Sequence, residues 1–454
     1  MKILFHSILI LTLGFFSFLG AKNYSSNELK SGSFNNQSTV SNATTAVSTQ
    51  EIVDLANAFK ATLSASQITT MQLSYTLTNA RTWSNLPASM SSRLGIKMGT
   101  LNATQLAAAK ALVQAMTGTP IGEGYNEVQG LWAADDYLSA NGGGSNYGAG
   151  NFYIAFFGTP SMTGTFEIQM TGHHRTVSNT YINGNLVGAT PSFVATEPYA
   201  SFTSGGNTYQ PMLEEKTALV NMLAGLTSTQ LATAHLATTY SDIILGPQDD
   251  WIFPTTKVGL QANSLSSTQK QLILNAIGTY VNDVDDSSAA AFMAQYTAEI
   301  DDTFIAYAGT ATLNNQNDYI RIDGPGVWIE YSTQNGIILS PKHPHSIWRD
   351  HRKDYGGTGA PLSTQNFSMV SRISNFPNPV VENTTFTFNL TQNAAVKINI
   401  YDLNGRLIST PYKNSLEPGN NSITVDLSDL SSGTYLYAIE TNGIKSSSSK
   451  LIKK

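Results

Sequence analysis

Five of the seven histidines in the chain stand at two places in the sequence. His173 and His174 are adjacent in the segment GHHRT, and the segment HPHSIWRDH contains His343, His345 and His351. Neutral imidazole is the most common protein ligand for zinc, copper, iron and nickel. The two clusters therefore predict a site for a divalent metal, and Zn, Cu, Fe and Mn are the candidate ions.

The spacing within each cluster limits which imidazoles can share one ion. His343 and His345 are two residues apart, so their side chains point to the same face of an extended strand. His173 and His174 are neighbours, so on a strand they point to opposite faces. All four are candidate ligands, and we expect only one of His173 and His174 to bind the ion directly.

Acidic residues and an arginine close to these histidines could supply the other groups of a metal enzyme. The candidate carboxylates are Glu197, Glu330, Asp350 and Asp354. We expect Glu197 or Asp350 to be the fourth ligand or the general base that activates water. Arg349 would stabilise anionic charge. The predicted catalytic set is therefore Glu197, Arg349 and Asp350.

Four short segments predict where helices begin. Each has a Leu, then a Ser, Thr or Asn, then a Gln three residues further on: LSASQ (63–67), LNATQ (101–105), LTSTQ (226–230) and LSSTQ (265–269). In this arrangement the first polar side chain caps a helix and the Gln bonds back to it, which is a capping box.

Strand-like segments follow these helices, and they repeat. Residues 152–191 contain IAFFGT and residues 303–341 contain IAYAGT, and in both a Gly-to-Gly spacing of twelve ends at an Asn-Gly pair that predicts a hairpin turn. We expect an α+β fold built by duplication, in which each half is a helical pair plus an antiparallel sheet and both halves feed one site. The alternative is two unrelated meanders with similar turns.

Composition and the N-terminus predict export. The net charge is −6 with no basic stripe, which argues against a nucleic-acid partner. The chain has no cysteine, which excludes disulfides and thiolate metal sites. An apolar run near the N-terminus followed by small residues predicts a cleaved signal peptide, with a membrane anchor as the alternative. No later segment is apolar enough to span a membrane.

The C-terminal residues form a separate all-β pattern. The motifs FPNPV, YDLNGR and DLSDLSSGTY, followed by a basic tail, resemble the type A C-terminal sorting domain of the Bacteroidetes type IX secretion system. The resemblance implies that the type IX machinery is a partner. It also implies passage through the periplasm and outer membrane to a secreted or surface-attached state. The predicted organisation is a signal peptide (1–21), a disordered polar linker (22–50), an α+β core (51–359, with halves 51–200 and 201–359), a linker (360–373) and a small all-β sandwich (374–454).

The core resembles the secreted proteins of domain-of-unknown-function family 3500. The resemblance lies in GTPSMTGTFEIQMTGHHRTVSN, PSFVATEP, GPGVWIEY and HPHSIWRDHRKDYGG. It implies that the family's motif positions are His173, His174, Glu197, His343, His345, Arg349, Asp350 and Asp354. The chain differs from the family pattern in having His351 where a proline is expected. The family name assigns no reaction.

Three functions remain open from the sequence. The first is a metal-dependent enzyme, a hydrolase or oxidoreductase; the chain has no G-x-S-x-G, H-E-x-x-H or P-loop motif that would name another mechanism. The second is a metal-free module that binds extracellular glycans or peptides through Trp328 and Trp348. In that case the histidines are structural or line an anionic pocket with Arg175, Arg349 and Arg352. The third is a structural surface protein.

Overall fold

The computed structural model describes residues 47–339, 342–357, 370–390, 393–403, 406–441, 444–445 and 449–454. The predicted signal peptide and most of the polar linker lie outside the described residues, as does most of the predicted 360–373 linker. Among the described residues, no helix is long and apolar enough to cross a membrane.

All four predicted capping boxes are present, and each begins a helix. Their glutamines also bond in pairs: Gln105 Nε2 donates to Gln67 Oε1 at 3.0 Å, and Gln269 Nε2 donates to Gln230 Oε1 at 2.7 Å. Each pair joins the starts of two helices. The helices of the described residues are α1 (Thr49–Ala61), α2 (Ala65–Met71), α3 (Leu77–Ala80), α4 (Ala103–Ala115), α5 (Gly124–Leu138), α6 (Leu213–Ala224), α7 (Ser228–Ala234), α8 (Ser267–Val281) and α9 (Asp286–Ala298).

The core contains a twelve-stranded sheet and a separate two-stranded hairpin. The strands are β1 (Gln72–Leu73), β2 (Ile96–Lys97), β3 (Tyr153–Phe157), β4 (Thr165–Gly172), β5 (Arg175–Ile182), β6 (Asn185–Gly188), β7 (Ser192–Ala195), β8 (Phe202–Ser204), β9 (Asn207–Tyr209), β10 (Leu260–Gln261), β11 (Phe304–Ala308), β12 (Tyr319–Asp323), β13 (Val327–Asn335) and β14 (Lys342–Asp350). The order along the large sheet is β1-β3-β4-β5-β7-β14-β13-β12-β11-β10. Pairing is antiparallel as predicted, except that the short edge strand β1 pairs with β3 in parallel.

Strands from the two predicted halves meet at the centre of this sheet, where β7 pairs with β14. Outward from this pair, the first half places β5, β4 and β3, and the second half places β13, β12 and β11. The α+β class is confirmed. One hairpin prediction needs correction: the turn at residues 183–184 joins β5 to β6 directly, whereas β13 ends at Asn335 and β14 begins only at Lys342, so the second connection is not a two-residue turn.

The central strands are buried on both faces because long helices cover one face and two largely irregular segments, one of which contains the short helix α3, cover the other. On the helical face of β14, Ser346 bonds the hydroxyl of Tyr280 in α8, and Trp348 packs against Phe292 in α9. On the opposite face lie residues 74–95 and 236–259, where Trp83 packs against Phe193 of β7. Alternation along β14 therefore directs His343, His345 and Arg349 toward the irregular segments.

The C-terminal strands form two sheets around one apolar core, as the predicted sandwich requires. Phe386 and Phe388 come from one sheet, and Val396, Ile398 and Ile439 come from the other. The strands are β15 (Val370–Phe376), β16 (Asn383–Leu390), β17 (Ala394–Tyr401), β18 (Leu407–Leu416), β19 (Gly419–Asp426), β20 (Gly433–Thr441), β21 (Ile444–Lys445) and β22 (Ser449–Lys453). β15 begins four residues before the predicted domain boundary.

Candidate metal centre

Strand β14 brings two of the candidate ligands together. His343 and His345 project from the same face of the strand, and their Nε2 atoms lie 3.0 Å apart. Both residues are buried. The i, i+2 spacing therefore places both imidazoles on one face, where they could hold one ion.

The first histidine pair lies on a turn and not on a strand. Gly172 of β4 pairs with Arg175 of β5, so His173 and His174 form the two-residue connection between them. His174 has a positive φ of 68°, which is uncommon for a residue other than glycine. The two rings consequently stack, with centroids 3.5 Å apart, so the prediction of opposite strand faces is wrong.

Only His174 of this pair reaches the other cluster. Its Nε2 atom lies 2.8 Å from Nε2 of His343, and the nitrogens of His174, His343 and His345 form one compact group. His173 instead places Nδ1 2.5 Å from Asp135 Oδ1, and its ring meets Tyr147 edge to face. The structure thus brings three of the four predicted histidines together and uses the fourth as a neighbour that packs on His174.

Hydrogen bonding cannot satisfy all three Nε2 atoms at once. Nδ1 of His345 lies 2.9 and 3.1 Å from the two carboxylate oxygens of Asp242, so Nδ1 carries the hydrogen and Nε2 carries a lone pair. Nε2 of His343 then faces two neighbouring nitrogens, but it can direct only one hydrogen or one lone pair. At least one contact between nitrogens is therefore unfavourable unless a cation accepts the lone pairs.

Burial keeps the imidazoles of His174 and His343 neutral, as metal binding requires. The pKa of His174 lies well below its usual range, first because of burial and then because of the charges that His173, His343 and His345 would carry. The pKa of His343 is lowered well below its usual range for the same reason, with burial as the main cause. The converging nitrogens of His174, His343 and His345 are a group that could hold a metal ion.

Asp242 is a residue of this site that the sequence did not reveal. It lies in the irregular segment 236–259, and its side chain is 45% exposed although it contacts His345. The backbone beside it is fixed from β13, because Glu330 accepts hydrogen bonds from the amides of Ile244 and Leu245 at 2.8 and 3.0 Å. No motif around Asp242 indicates this role, since its partner is 103 residues away along the chain.

Glu197 supports the site from the side. Its carboxylate accepts hydrogen bonds from the amides of Ile337, Ile338 and Leu339. Oε2 also lies 3.7 Å from Nδ1 of His343. These contacts hold the backbone of residues 337–339, which follow β13. Glu197 therefore lies on the Nδ1 side of the His343 ring, whereas Nε2 of the same ring faces His174 and His345.

Arg349 and Asp350 lie at the other end of β14 and do not join the imidazoles. Arg349 is four residues beyond His345, about 13 Å along an extended strand. It donates to the carbonyls of Leu245 and Gly246 at 2.9 and 2.7 Å and contacts Asp354 at 2.9 Å. Asp350 projects to the helical face, where it accepts a hydrogen bond from Tyr296. Because side chains alternate between the two faces of a strand, Asp350 points away from the face that carries His343 and His345.

The other aromatic and histidine candidates are structural in this fold. Trp328 and Trp348 have no exposed surface, and the indole of Trp328 donates to Glu330. They cannot stack on a glycan, which removes the basis of that alternative. His351 stacks on Phe253 and lies 3.3 Å from Asp323, away from the three-histidine group.

Comparison with known proteins gives two family matches. Residues 45–357 match the family described as "Protein of unknown function (DUF3500)", and residues 374–454 match the "Secretion system C-terminal sorting domain". Both resemblances predicted from the motifs are confirmed. No curated protein matches the chain. Among solved structures, the chain is similar to one titled "Crystal structure of dimeric latent PorU from Porphyromonas gingivalis", at 20% identity and a TM-score of 0.17, covering 32% of this chain and 14% of that one. The sorting domain implies export to an outer-membrane or extracellular location.

Proposed function

Since the chain belongs to the DUF3500 family of proteins of unknown function, we propose a function from its site: it is an exported metal-dependent enzyme. In this proposal His174, His343 and His345 hold one divalent ion through their Nε2 atoms. The observation that carries the proposal is the convergence of three buried imidazoles whose hydrogen bonds cannot all be made.

The nitrogen positions fit a metal ion of the zinc type. Ligands at about 2.0–2.1 Å from a tetrahedral ion are about 3.3 Å apart. The two Nε2–Nε2 distances are 2.8 and 3.0 Å, so a small outward shift of the rings makes room. Three protein ligands also leave one coordination position for water or substrate, which is the arrangement of catalytic zinc sites. Cu, Fe and Mn are the other candidates.

The protein residues around this centre have separate roles. Asp242 holds His345 in the tautomer that ligation needs, and such carboxylate–histidine contacts commonly raise ligand basicity. Glu197 holds the 337–339 backbone against His343. When bound, the ion would act as a Lewis acid that polarises substrate and acidifies water. Hydrolysis is therefore the reaction class we favour, and oxidoreduction applies if the ion is Cu or Fe.

Arg349 and Asp350 support the site in this proposal and do not take part in the chemistry. Arg349 binds the carbonyls of Leu245 and Gly246, and Glu330 binds amides of the same segment. Arg349 and Glu330 together fix the backbone of the segment that carries Asp242.

We also propose that the two halves of the core arose by duplication and that the site lies where they meet. The support is the repeated order of capped helices and strands and the two matching glutamine pairs. His174 comes from the first half, and His343 and His345 come from the second. The domain limits predicted from the sequence remain part of this proposal.

Metal analysis of the purified full chain tests the proposed centre. We expect close to one equivalent of Zn, Cu, Fe or Mn in the wild type and almost none after replacement of both His343 and His345 by Ala. The matched control is His351→Ala, a histidine of the same segment that lies outside the group, and it should keep the metal. A wild type that takes up none of the four ions after incubation would refute the proposal.

A further inference from the structure

His174 lacks the kind of carboxylate contact that the other two histidines of the metal centre have. Nδ1 of His343 lies 3.7 Å from Glu197 Oε2, and Nδ1 of His345 lies 2.9 Å from Asp242 Oδ1. No carboxylate among the described residues makes an ion pair with His174. Histidines that bind a metal usually donate their second ring nitrogen to a carboxylate, a carbonyl or water, which fixes the orientation of the ring. The His174 ring is therefore oriented by something other than a carboxylate of its own.

The ring of His173 packs against His174 and supplies this orientation. The two centroids are 3.5 Å apart, and the ring planes are inclined by 28°. His174 also has a positive φ of 68°, and such a backbone conformation persists outside glycine only where the surrounding contacts hold it. Without the His173 ring, one face of His174 would have no packing, and its Nε2 atom would be free to turn away from His343.

Asp135 of α5 fixes the position of His173. Its Oδ1 atom lies 2.5 Å from Nδ1 of His173, and its Oδ2 atom accepts a hydrogen bond from the amide of Gly148 at 2.7 Å. Asp135 is buried, so both of its oxygens bond to donors of the fold. Tyr147, which precedes Gly148, meets the His173 ring edge to face with centroids 4.8 Å apart. One buried carboxylate thus holds the His173 ring and the backbone beside the tyrosine that packs on it.

We propose that His173, held by Asp135, is a positioning residue that directs Nε2 of His174 toward the metal ion; the inference rests on the proposed metal centre. His173 is not a ligand in this arrangement, because the compact group of nitrogens consists of His174, His343 and His345. The first histidine of the GHHRT segment therefore orients the second, and the second binds the ion.

Titration of the metal-free full chain with Co²⁺ tests this role, because the visible absorption of bound Co²⁺ depends on how its ligands are arranged. We expect the wild type to bind close to one equivalent. Asp135→Asn leaves one acceptor oxygen where two stood, so it should bind Co²⁺ at least about tenfold more weakly and change the absorption of the bound ion. The matched control is Asp136→Asn. Asp136 is the neighbouring carboxylate of α5 and accepts a hydrogen bond from the amide of Ala149 at 2.8 Å, so its variant should keep the wild-type affinity and absorption.

His173→Ala removes the stacked ring and leaves the bond between Asp135 and Gly148 in place. We expect it to weaken Co²⁺ binding at least about tenfold as well. The control is His351→Ala, which removes another histidine that stacks on an aromatic ring and contacts a carboxylate, and it should bind Co²⁺ like the wild type.

The outcomes separate this inference from the metal centre on which it rests. If the wild type binds Co²⁺ and His173→Ala has the same affinity and absorption, the positioning role is overturned and the metal centre stands. Equal effects of Asp135→Asn and Asp136→Asn would also overturn the positioning role, and this pair decides if His173→Ala does not fold. A wild type that binds none of the metal ions tested would overturn the metal centre and this inference together.

Discussion

The two ends of strand β14 carry buried polar side chains that look alike in the sequence but differ in what surrounds them. At one end, His343 and His345 direct nitrogens toward each other and toward His174. At the other end, Arg349 makes hydrogen bonds to two backbone carbonyls and ion pairs to Asp250 and Asp354. The residues at both ends are buried.

The difference lies in whether the fold itself satisfies the polar atoms. Burial lowers the pKa of Arg349, but Asp354, Tyr355 and Asp250 outweigh that effect and raise it above its usual range. A fully paired charge of this kind holds structure together. The imidazoles instead leave lone pairs that only an added cation can use. In the proposed function, the end of β14 with unsatisfied, converging nitrogens holds the metal ion, and the end with fully paired polar atoms supports it.

Removing the arginine should give the largest effect on stability. Arg349→Met leaves Asp250 and Asp354 buried without their shared cation, which typically costs about 3–5 kcal/mol. Chemical unfolding of the full chain measures this loss. Lys342→Met, at the partly exposed start of the same strand, is the control and should cost less than about 1 kcal/mol.

The same variant distinguishes support from catalysis. Folded Arg349→Met protein should still bind one equivalent of metal, because Arg349 touches none of the three imidazoles. A variant of normal stability that has lost activity and kept its metal would instead return Arg349 to the catalytic set.

Asp242→Asn should give the next largest effect, this time on metal affinity. Loss of a carboxylate that orients a ligating histidine typically weakens metal binding about 10–100-fold. Competition with a chelator measures the change. Asp249→Asn alters a carboxylate of the same irregular segment that does not contact His345, and its metal affinity should match the wild type. Equal affinities in the two variants would show that Asp242 does not orient the ligand.

How much of this could be predicted depended on how local each interaction is. Helix starts at Ser64 or Asn102 were predictable because a capping box closes within four residues. The i, i+2 histidines were predictable because strand alternation fixes their common face. The same alternation excludes Asp350, which is an odd number of residues from His343 and His345 and so faces the helices.

Contacts between residues that are far apart in the chain could not be predicted from the sequence. Asp242 meets His345 only because Glu330 and Arg349 fix an irregular segment with no periodicity of its own. The stacking of His173 on His174 depends on a turn in which His174 has a positive φ, a geometry usually indicated by glycine. Neither the sequence around Asp242 nor the GHHRT segment contains a pattern that predicts these contacts.

A third buried polar set lies around Arg175 and consists of the side chains of Glu123, Glu127, Glu215 and Asp283. Changing one of these carboxyls should have the smallest effect on stability, and that effect depends on pH. Glu215 has a folded-state pKa raised mainly by burial, above the unfolded value of about 4.3. The folded protein therefore holds a proton that the unfolded chain has released. This contribution to stability is complete below about pH 4.3 and falls as pH rises toward the folded pKa.

Glu215→Gln should remove that pH dependence, because glutamine has no proton to lose. Each proton that the folded chain holds and the unfolded chain has released steepens the loss of stability by about 1.4 kcal/mol per pH unit. Unfolding measured between about pH 7.5 and pH 9, where the histidines of the unfolded chain are mostly neutral, should therefore show a shallower slope in Glu215→Gln than in the wild type. Glu214→Gln, at the neighbouring partly exposed position on α6, should keep the wild-type slope. Identical slopes in all three proteins would mean that Glu215 is ionised and has a partner, and the carboxyl group would then resemble the satisfied end of β14.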